Sequence, residues 1–275
     1  MSWGLWGKNL SPGDMAQKIE NAVSLGVSSF DHAAIYGHYT TEAAFGKAFA
    51  QCSLQREDIE LISKCGIQLV HKSRGAKVKH YNYRTSYIVQ QAEQSLLNLQ
   101  TDYLDVFLLH RPSPLMQVDE IKEAITKLQE EGKIKSFGVS NFTPAQIQYL
   151  SADLDISTNQ IECSLSHHQP LEDGTLLFHQ QQDIQTMAWS PLGDVFSRDT
   201  SSVVHSALAS LSEKYGCSSA QLLIAWLIKH PAYIYPVLGT TQTHHLREAV
   251  DSQSIDLDLQ DWFILYEAAR GQEVD

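Results

Sequence analysis

Four ionisable side chains in the first half of the chain are of the types that carry acid–base chemistry. They are Asp31, Tyr36, Lys64 and His110. Each lies within or just after a short apolar run, namely 28-SSFDHAA-34, 60-ELISKCG-66 and 104-LDVFLLH-110. Singly, each has an ordinary structural interpretation, as a packing tyrosine, a surface lysine or a structural histidine. Only a fold that brings the ends of the three runs together would make them one site.

The chemistry predicted for such a site is proton delivery to a carbonyl oxygen. A tyrosine phenol has a pKa near 10, too high to exchange protons efficiently at neutral pH. An ammonium about 4 Å away would stabilise the phenolate by about 4 kcal/mol at an effective dielectric of about 20. We expect Lys64 to supply that field and to lower the pKa of Tyr36, with Asp31 keeping the lysine charged and aimed. His110 would then position the carbonyl oxygen beside the phenol.

The elements that must position these residues alternate along the whole chain. Seven apolar runs are predicted as strands: 28–34, 60–66, 104–110, 136–141, 157–163, 184–190 and 235–240. The stretch 2-SWGLW-6 is predicted as the stub of an eighth. Strand–helix alternation with short connections favours a parallel sheet in one domain over 1–275, and eight such units favour an α/β fold of the (β/α)8 TIM-barrel type. The rival doubly wound sheet needs a G-x-G-x-x-G turn, which the sequence lacks.

The predicted helices carry start and stop signals. Ser11 and Asp14 form a capping pattern with proline between them, and Thr143-Pro144 begins a second helix. Apolar stripes at helical spacing predict further helices: Ile88, Ala92, Leu96 and Leu99; Val118, Ile121, Ile125 and Leu128, ended by Gly132; and the segments 41–50, 219–230 and 246–250.

Composition narrows the class of protein. The 275 residues carry 20 Lys+Arg against 32 Asp+Glu, a net charge of −12, which disfavours nucleic acid and acidic membranes as partners. The four cysteines are far apart, which argues against a disulfide framework or metal site, and no apolar stretch is long enough to span a membrane. We therefore expect a cytoplasmic protein acting on a small molecule, with the oligomeric state open.

One basic segment departs from this acidic balance. The stretch 72-KSRGAKVKHYNYR-84 has five lysine or arginine residues and no acid. Two interpretations are open: a solvated loop, or a collar that attracts an anionic ligand.

The later strand ends carry a different set of side chains, suited to a nucleotide. Ser140, Asn141 and Gln160 offer hydroxyl and amide groups, and Trp189 offers a flat stacking face. The segment 238-LGTT-241 adds backbone donors beside a glycine before a helix, an arrangement that favours phosphate. Asn141 has an equally good interpretation as a turn or helix-cap residue.

These motifs together resemble the aldo-keto reductase superfamily, and most closely its YdhF-like bacterial branch. The segments that carry the resemblance follow in the family's order over nearly the whole chain: FDHAAIYG, LISKCG, DVFLLHRP, FGVSNFTP, TNQIE, MAWSPLG and VLGTT. The resemblance implies a (β/α)8 barrel and hydride transfer from NADPH, with NADH as a second possible cofactor, to an aldehyde or ketone.

The resemblance also implies roles for individual residues. Asp31, Tyr36, Lys64 and His110 match the family's catalytic tetrad, with Tyr36 as general acid and no metal. The matching cofactor-binding positions are Ser140, Asn141, Gln160, Trp189, Ser190, Leu192, Gly239, Thr240, Thr241, His245 and Glu248.

The sequence departs from the family pattern in two places. Family members usually have a full first strand, so either the barrel's first strand and N-terminus are truncated or the start lies upstream. His245 stands where NADP-preferring relatives usually have arginine. Because an imidazole is charged only in part near neutral pH, we expect a modest NADPH preference that grows as pH falls.

Two other classes of function remain to be weighed. A nucleotide-sensing regulatory subunit on the same barrel would bind the cofactor with negligible turnover. A metal-dependent barrel hydrolase would need a His-x-His at the first strand end, and SWGLW has none.

Overall fold

The computed structural model describes residues 3–72, 74–197 and 201–274. These residues form two compact units, unit 1 with residues 1–159 and 239–243, and unit 2 with residues 160–238 and 244–275. A single domain over 1–275 stays a prediction. Among the residues that the structure describes, no helix is both long and apolar enough to span a bilayer.

The regular elements alternate as the sequence predicts. The strands are β1 (Ser29–Asp31), β2 (Glu60–Cys65), β3 (Ile67–Gln68), β4 (His80–Tyr81), β5 (Leu104–Leu109), β6 (Ile134–Ser140), β7 (Thr158–Glu162), β8 (Gln185–Trp189) and β9 (Tyr235–Pro236). The helices are α1 (Pro12–Ser24), α2 (Tyr36–Tyr39), α3 (Thr41–Phe49), α4 (Thr85–Leu99), α5 (Val118–Glu130), α6 (Pro144–Ser151), α7 (Gln169–Glu172), α8 (Thr175–Gln181), α9 (Ser202–Tyr215), α10 (Ser219–Ile228), α11 (Thr243–Asp251) and α12 (Leu259–Arg270).

Unit 1 is built on four parallel strands that lie side by side in the order β1, β2, β5 and β6. The register pairs Asp31 with Ile62 and Lys64 with Leu108. Helices α1, α3, α4 and α5 pack one against the next. Since the strands are parallel, their carboxyl ends lie at one edge of the sheet, and every side chain that follows a strand end is brought to that edge.

The helices of unit 1 begin and end where local chemistry predicts. The Ser11 hydroxyl accepts a hydrogen bond from the Asp14 N–H at 3.1 Å at the start of α1. Thr143 and Gln146 form a reciprocal capping box at the start of α6. Helix α5 buries Ile121, Ile125 and Leu128 of its predicted apolar stripe, with Val118 only partly buried, and is followed by Gly132 in the left-handed conformation, at φ +67°.

Unit 2 contains the parallel pair β8 and β9 with helices α9, α10 and α12 around an apolar core. Two tryptophans lock α10 to α12. The rings of Trp226 and Trp262 stack with centroids 4.8 Å apart and an interplanar angle of 9°. Each indole N–H donates to the other residue's carbonyl oxygen, at 3.1 and 3.0 Å. The pair packs the buried Trp226 against the partly buried Trp262 without leaving either indole N–H unsatisfied.

All seven predicted apolar runs contain a strand, but the predicted eighth stub is wrong. Residues 3–8 form turns, and Ser2 lies outside the described residues. The Gly4 carbonyl accepts from the Gly7 and Asn9 N–H groups, and the Trp3 carbonyl accepts from the Leu10 N–H. These local bonds satisfy the backbone groups that a strand would have offered to a neighbour. The short antiparallel hairpin β3–β4 was not predicted from the sequence.

Candidate active site

Three adjacent strands bring the four predicted catalytic residues to one edge of the unit 1 sheet. Asp31 ends β1, Lys64 is the penultimate residue of β2, and His110 directly follows β5. Parallel pairing continues past the strand ends, because the Ala34 N–H donates to the Lys64 carbonyl at 3.0 Å and the His110 N–H to the Cys65 carbonyl at 2.9 Å. The backbone around each residue is thereby held to its neighbour.

Lys64 is the electrostatic centre of the site. Its side chain is 0% exposed, and its Nζ lies 2.6 Å from Asp31 Oδ1, 2.8 Å from the His32 carbonyl oxygen and 3.4 Å from the Tyr36 hydroxyl. Burial alone would lower the pKa of Lys64, but the Asp31 carboxylate and the Tyr36 hydroxyl outweigh it, so the pKa lies above its ordinary value. The lysine is therefore charged throughout the physiological range.

Tyr36 is aimed by an unusual turn. Gly37, His38 and Tyr39 all have left-handed backbone conformations, at φ +58°, +54° and +71°. A side chain at position 37 would place its Cβ 2.5 Å from the Thr41 hydroxyl oxygen, so this position requires glycine. Left-handed non-glycine residues cost about 1–3 kcal/mol each, and such strain is typical of functional sites.

The pKa of Tyr36 is shifted in the direction opposite to the one expected from the sequence. The Lys64 ammonium does lower the pKa of the phenol, as predicted, but burial has the larger effect and the pKa of Tyr36 is raised above its ordinary value. The prediction of a net lowered pKa was wrong because desolvation disfavours the phenolate more than one ammonium at 3.4 Å favours it. Tyr36 thus keeps its proton at neutral pH.

His110 faces Tyr36 edge to face, with ring centroids 5.8 Å apart and an interplanar angle of 82°. Burial, followed by the Lys64 charge, holds the pKa of His110 well below its ordinary value. The imidazole is therefore neutral, and its Nδ1 is buried with no hydrogen-bond partner among the described residues. A neutral imidazole keeps one N–H donor for an acceptor placed beside Tyr36.

The two N-terminal tryptophans lie in different surroundings. Trp6 is half exposed and contacts both Tyr36 and His38, with ring centroids at 6.3 and 5.2 Å. Trp3 is buried against Phe30, and its indole N–H donates to the Thr240 carbonyl at 3.0 Å. Trp6 therefore forms an aromatic rim beside Tyr36, whereas Trp3 ties the N-terminal turns to the segment 239–243.

The predicted cofactor residues of unit 1 lie at the end of β6 and in the segment 239–243. Ser140 is buried, and its hydroxyl accepts a hydrogen bond from the Asn141 amide at 2.7 Å. Asn141 is left-handed, at φ +60°, and is a turn residue rather than a helix cap, since Thr143 caps α6. The Thr240 hydroxyl accepts from the Gln242 N–H at 3.0 Å, and Thr241 is partly exposed. Gly239 has no neighbouring atom where a Cβ would stand.

The remaining predicted residues belong to unit 2. Gln160 is buried in β7, and Trp189 ends β8 partly buried. Ser190 follows it, exposed and left-handed, and Leu192 packs on the unit 2 core. His245 is exposed on α11, where its ring lies 4.1 Å from that of His244, and Glu248 is half-buried on the same helix. Their role in cofactor binding stays a prediction.

Sequence reasoning missed two supports of the site. Tyr83 is buried, its hydroxyl donates to the Arg111 carbonyl at 2.5 Å, and its ring covers Gly66 just after β2. On the other side of β2, the Ser63 hydroxyl donates to the buried Glu42 carboxylate at 2.5 Å. Because Ser63 and Lys64 are neighbours in β2, their polar side chains point to opposite faces of the strand, which is a signal of a second polar contact. The sequence does not identify that contact, because Glu42 lies 21 residues from Ser63.

Comparison with known proteins agrees with this description. The model of the aldo/keto reductase family matches residues 1–270. The chain is 40% identical over 277 residues to Oxidoreductase YdhF of Escherichia coli K12, covering 99% of this chain and 93% of that protein. It is 41% identical over 280 residues to the uncharacterized oxidoreductase YcsN of Bacillus subtilis 168, covering 99% and 93%. A 6-dehydroglucose reductase of Agrobacterium fabrum is 37% identical over 281 residues, covering 99% and 94%.

Solved structures agree as well. The thermostable aldo-keto reductase Tm1743, in complex with the inhibitor epalrestat, matches with a TM-score of 0.82 at 25% identity over 97% of this chain and 93% of that one. An aldo/keto reductase from Klebsiella pneumoniae in complex with NADP and acetate matches with a TM-score of 0.78 at 26% identity over 98% and 88%. The predicted fold class, a (β/α)8 barrel, and the resemblance to the YdhF-like branch are confirmed. Matched over its length in both sequence and fold, the chain belongs to the aldo/keto reductase family.

Proposed function

We propose that this protein is an NADPH-dependent reductase of aldehydes or ketones, with Tyr36 as its general acid. The observation that carries the proposal is the contact of one buried ammonium, Lys64 Nζ, with Asp31 at 2.6 Å and with the Tyr36 hydroxyl at 3.4 Å. Family membership supports the oxidoreductase class.

In the proposed step, Tyr36 donates its hydroxyl proton to the carbonyl oxygen while negative charge develops there. Burial keeps the phenol protonated until a substrate arrives, since its pKa is raised. The phenolate that remains lies 3.4 Å from the Lys64 ammonium, an attraction of about 5 kcal/mol at an effective dielectric of about 20. Lys64 thus acts after proton transfer more than before it, and Asp31 keeps it charged and in place.

His110 is proposed to orient the substrate. Because its imidazole is neutral, it donates one hydrogen bond to the carbonyl oxygen and does not compete with Tyr36 as an acid. Its ring lies edge to face with that of Tyr36, with centroids 5.8 Å apart. Trp6 covers the outer side of Tyr36 and offers an apolar contact to the substrate.

The side chains of unit 1 fit part of a nicotinamide cofactor. When bound, NADPH would supply the hydride equivalent. Ser140 and Asn141 are proposed to bind its carboxamide, and they already form a hydroxyl–amide pair at 2.7 Å. Thr240 and Thr241 present hydroxyls beside Gly239, where no atom lies within 4 Å of a Cβ position, an arrangement that suits phosphate. The NADP complex of the Klebsiella pneumoniae relative supports this choice of cofactor.

The test is Tyr36→Phe, assayed by NADPH consumption across a panel of aldehydes and ketones that includes 6-dehydroglucose. We expect kcat to fall at least about 100-fold, because a positioned general acid contributes about 10²–10⁴. The dissociation constant for NADPH should stay within about twofold of wild type. Tyr149→Phe, an exposed tyrosine on α6, is the matched control and should leave kcat unchanged.

Two results would overturn the proposal. Retention of most activity by Tyr36→Phe would remove the phenol from its role. Tight NADPH binding by wild type with negligible turnover over the whole panel would favour a nucleotide-sensing regulatory subunit instead.

A further inference from the structure

A strongly basic segment interrupts an acidic chain. Residues 61–92 contain six lysine or arginine residues and no aspartate or glutamate, although the chain has a net charge of −12. Lys64 belongs to the proposed site. The other five lie in residues 72–84, the basic collar, of which residue 73 is outside the described residues: Lys72, Arg74, Lys77, Lys79 and Arg84.

The fold returns the basic collar to the catalytic edge of unit 1. Strands β3 and β4 pair Ile67 with Tyr81, so the segment leaves the end of β2 and comes back to it. Between the two strands, the ring of His71 stacks on that of His38, with centroids 5.2 Å apart and an interplanar angle of 16°. His38 lies two residues after Tyr36, in the left-handed turn that positions the Tyr36 side chain.

Arg74 is held at this edge rather than solvated freely. Its side chain is partly buried, and its guanidinium carbon lies 4.1 Å from the centroid of the Tyr39 ring. Tyr39 is itself anchored, because its hydroxyl accepts the Leu69 N–H at 2.9 Å. A guanidinium stacked on an aromatic face keeps its N–H groups in its own plane, where they bind carboxylate or phosphate oxygens in pairs. The other four basic residues of the collar are exposed, by contrast: Lys72, Lys77, Lys79 and Arg84.

One charge of the collar, that of Lys79, contributes to the lowered pKa of His110 in the proposed site. Burial is the largest cause of the lowered pKa of His110, and the charges of Lys64, Arg111 and Lys79 all act in the same direction. Asp31, the acid in the tetrad, is already paired with Lys64 at 2.6 Å. Three positively charged side chains, Lys64, Arg111 and Lys79, therefore act on His110, although the chain as a whole is acidic.

We propose that the basic collar selects carbonyl substrates that carry a carboxylate or phosphate group, with Arg74 binding the anion and Lys79 adding to its attraction. The proposal rests on the carbonyl reductase function proposed above. It assigns a substrate class, small anionic carbonyl compounds. It also explains the basic residues of the collar, which the proposed proton transfer does not require.

The experiment compares two substrates of nearly equal shape, 4-formylbenzoate and its neutral amide, 4-formylbenzamide, at saturating NADPH. Trp6 beside Tyr36 makes an aromatic probe suitable. We expect kcat/KM to be at least about 10-fold higher for the carboxylate. Raising the ionic strength from about 0.05 to 0.5 M should reduce that ratio several-fold, since salt screens exposed charges.

The variant Arg74→Gln/Lys79→Gln should reduce the same ratio at least about fivefold. Lys122→Gln/Lys127→Gln, two exposed lysines on α5, removes the same charge far along the chain from the collar and should leave the ratio unchanged. An equal loss in both double variants would show a general effect of net charge and would overturn the proposal.

Further outcomes separate the possible failures. Reduction of both probes at equal kcat/KM would overturn the collar proposal and leave the carbonyl reductase function standing. Reduction of neither probe, together with negligible turnover over the aldehyde and ketone panel, would overturn the proposed function itself, whereas turnover of the panel alone would overturn only the collar proposal. A weaker dissociation constant for NADPH in Arg74→Gln/Lys79→Gln, with an unchanged substrate ratio, would assign the collar to the cofactor phosphate and refute its role in substrate selection.

Discussion

Replacing Asp31 by asparagine should destabilise the protein more than removing the lysine that Asp31 pairs with. Lys64 is 0% exposed, and its only carboxylate contact among the described residues is Asp31 at 2.6 Å. In Asp31→Asn the ammonium stays buried with no carboxylate beside it, and the oxygens left to it are uncharged: the His32 carbonyl, the Tyr36 hydroxyl and the introduced amide. Breaking a buried ion pair in this way costs about 3–5 kcal/mol of the free energy of unfolding.

Removing the lysine instead of the aspartate should destabilise the protein less. In Lys64→Met the group that loses its ion pair is Asp31, whose side chain is 14% exposed and within reach of water. We expect a loss of about 1–3 kcal/mol, the range for removing one partner of a hydrogen bond to a charged group. The double variant Asp31→Asn/Lys64→Met leaves no unpaired charge, so it should be no less stable than Asp31→Asn, and the two losses should not add.

The dependence of the free energy of unfolding on pH should have opposite signs in wild type and in Asp31→Asn. In wild type the pKa of Lys64 is raised above 10.5, because Asp31 and Tyr36 outweigh burial. The stabilisation from this pair is fully present below pH 10.5 and is lost as pH rises through the folded-state pKa. In Asp31→Asn burial dominates and the pKa of Lys64 falls below its ordinary value. In this variant the lysine binds its proton more tightly in the unfolded chain than in the folded one. The free energy of unfolding should therefore rise with pH up to the ordinary lysine pKa.

Urea unfolding at pH 7 and pH 9, followed by tryptophan fluorescence, measures these differences through the midpoint and the slope. Wild type should change little between the two pH values, whereas Asp31→Asn should gain stability at pH 9. A smaller loss in Asp31→Asn than in Lys64→Met would refute the assignment of Lys64 as the more costly charge. So would additive losses in the double variant.

Three further predictions concern the supports of the site and the cofactor. Gly66→Ala should lower the free energy of unfolding by at least about 1–3 kcal/mol, because position 66 has φ +109° and a Cβ there would overlap the Tyr83 ring; Gly13→Ala, which meets nothing in α1, should lose none in the same thermal melts. Thr143→Ala should cost about 1 kcal/mol by removing the cap of α6, and Thr143→Ser should restore it, so equal melting temperatures for both variants would contradict the cap. For the cofactor, His245→Arg should raise the ratio of kcat/KM for NADPH over NADH, because a guanidinium binds phosphate oxygens in pairs; an unchanged ratio would show that another group binds the 2′-phosphate.

Properties that depend on neighbours in sequence were open to prediction. Each predicted apolar run contains a strand, because burial on both faces of a parallel sheet demands continuous apolar residues. The start of α6 followed from Thr143 and Pro144, and the end of α5 from Gly132, since cap and stop signals act within one turn. Parallel strands also imply that Asp31 and Lys64 meet at one edge, which the 2.6 Å ion pair bears out.

Properties that depend on how segments distant in sequence pack were decided by the tertiary structure alone. The net direction of the Tyr36 pKa reflects the depth of burial, which no spacing of residues reveals, and desolvation outweighs the Lys64 charge. The turns at residues 3–8 replace the predicted strand because Trp3 is anchored by a hydrogen bond to Thr240, 237 residues away. The hairpin β3–β4 carries the basic collar back to the Tyr36 turn in the same way: its two strands have too few residues to show a period, so only their pairing defines them.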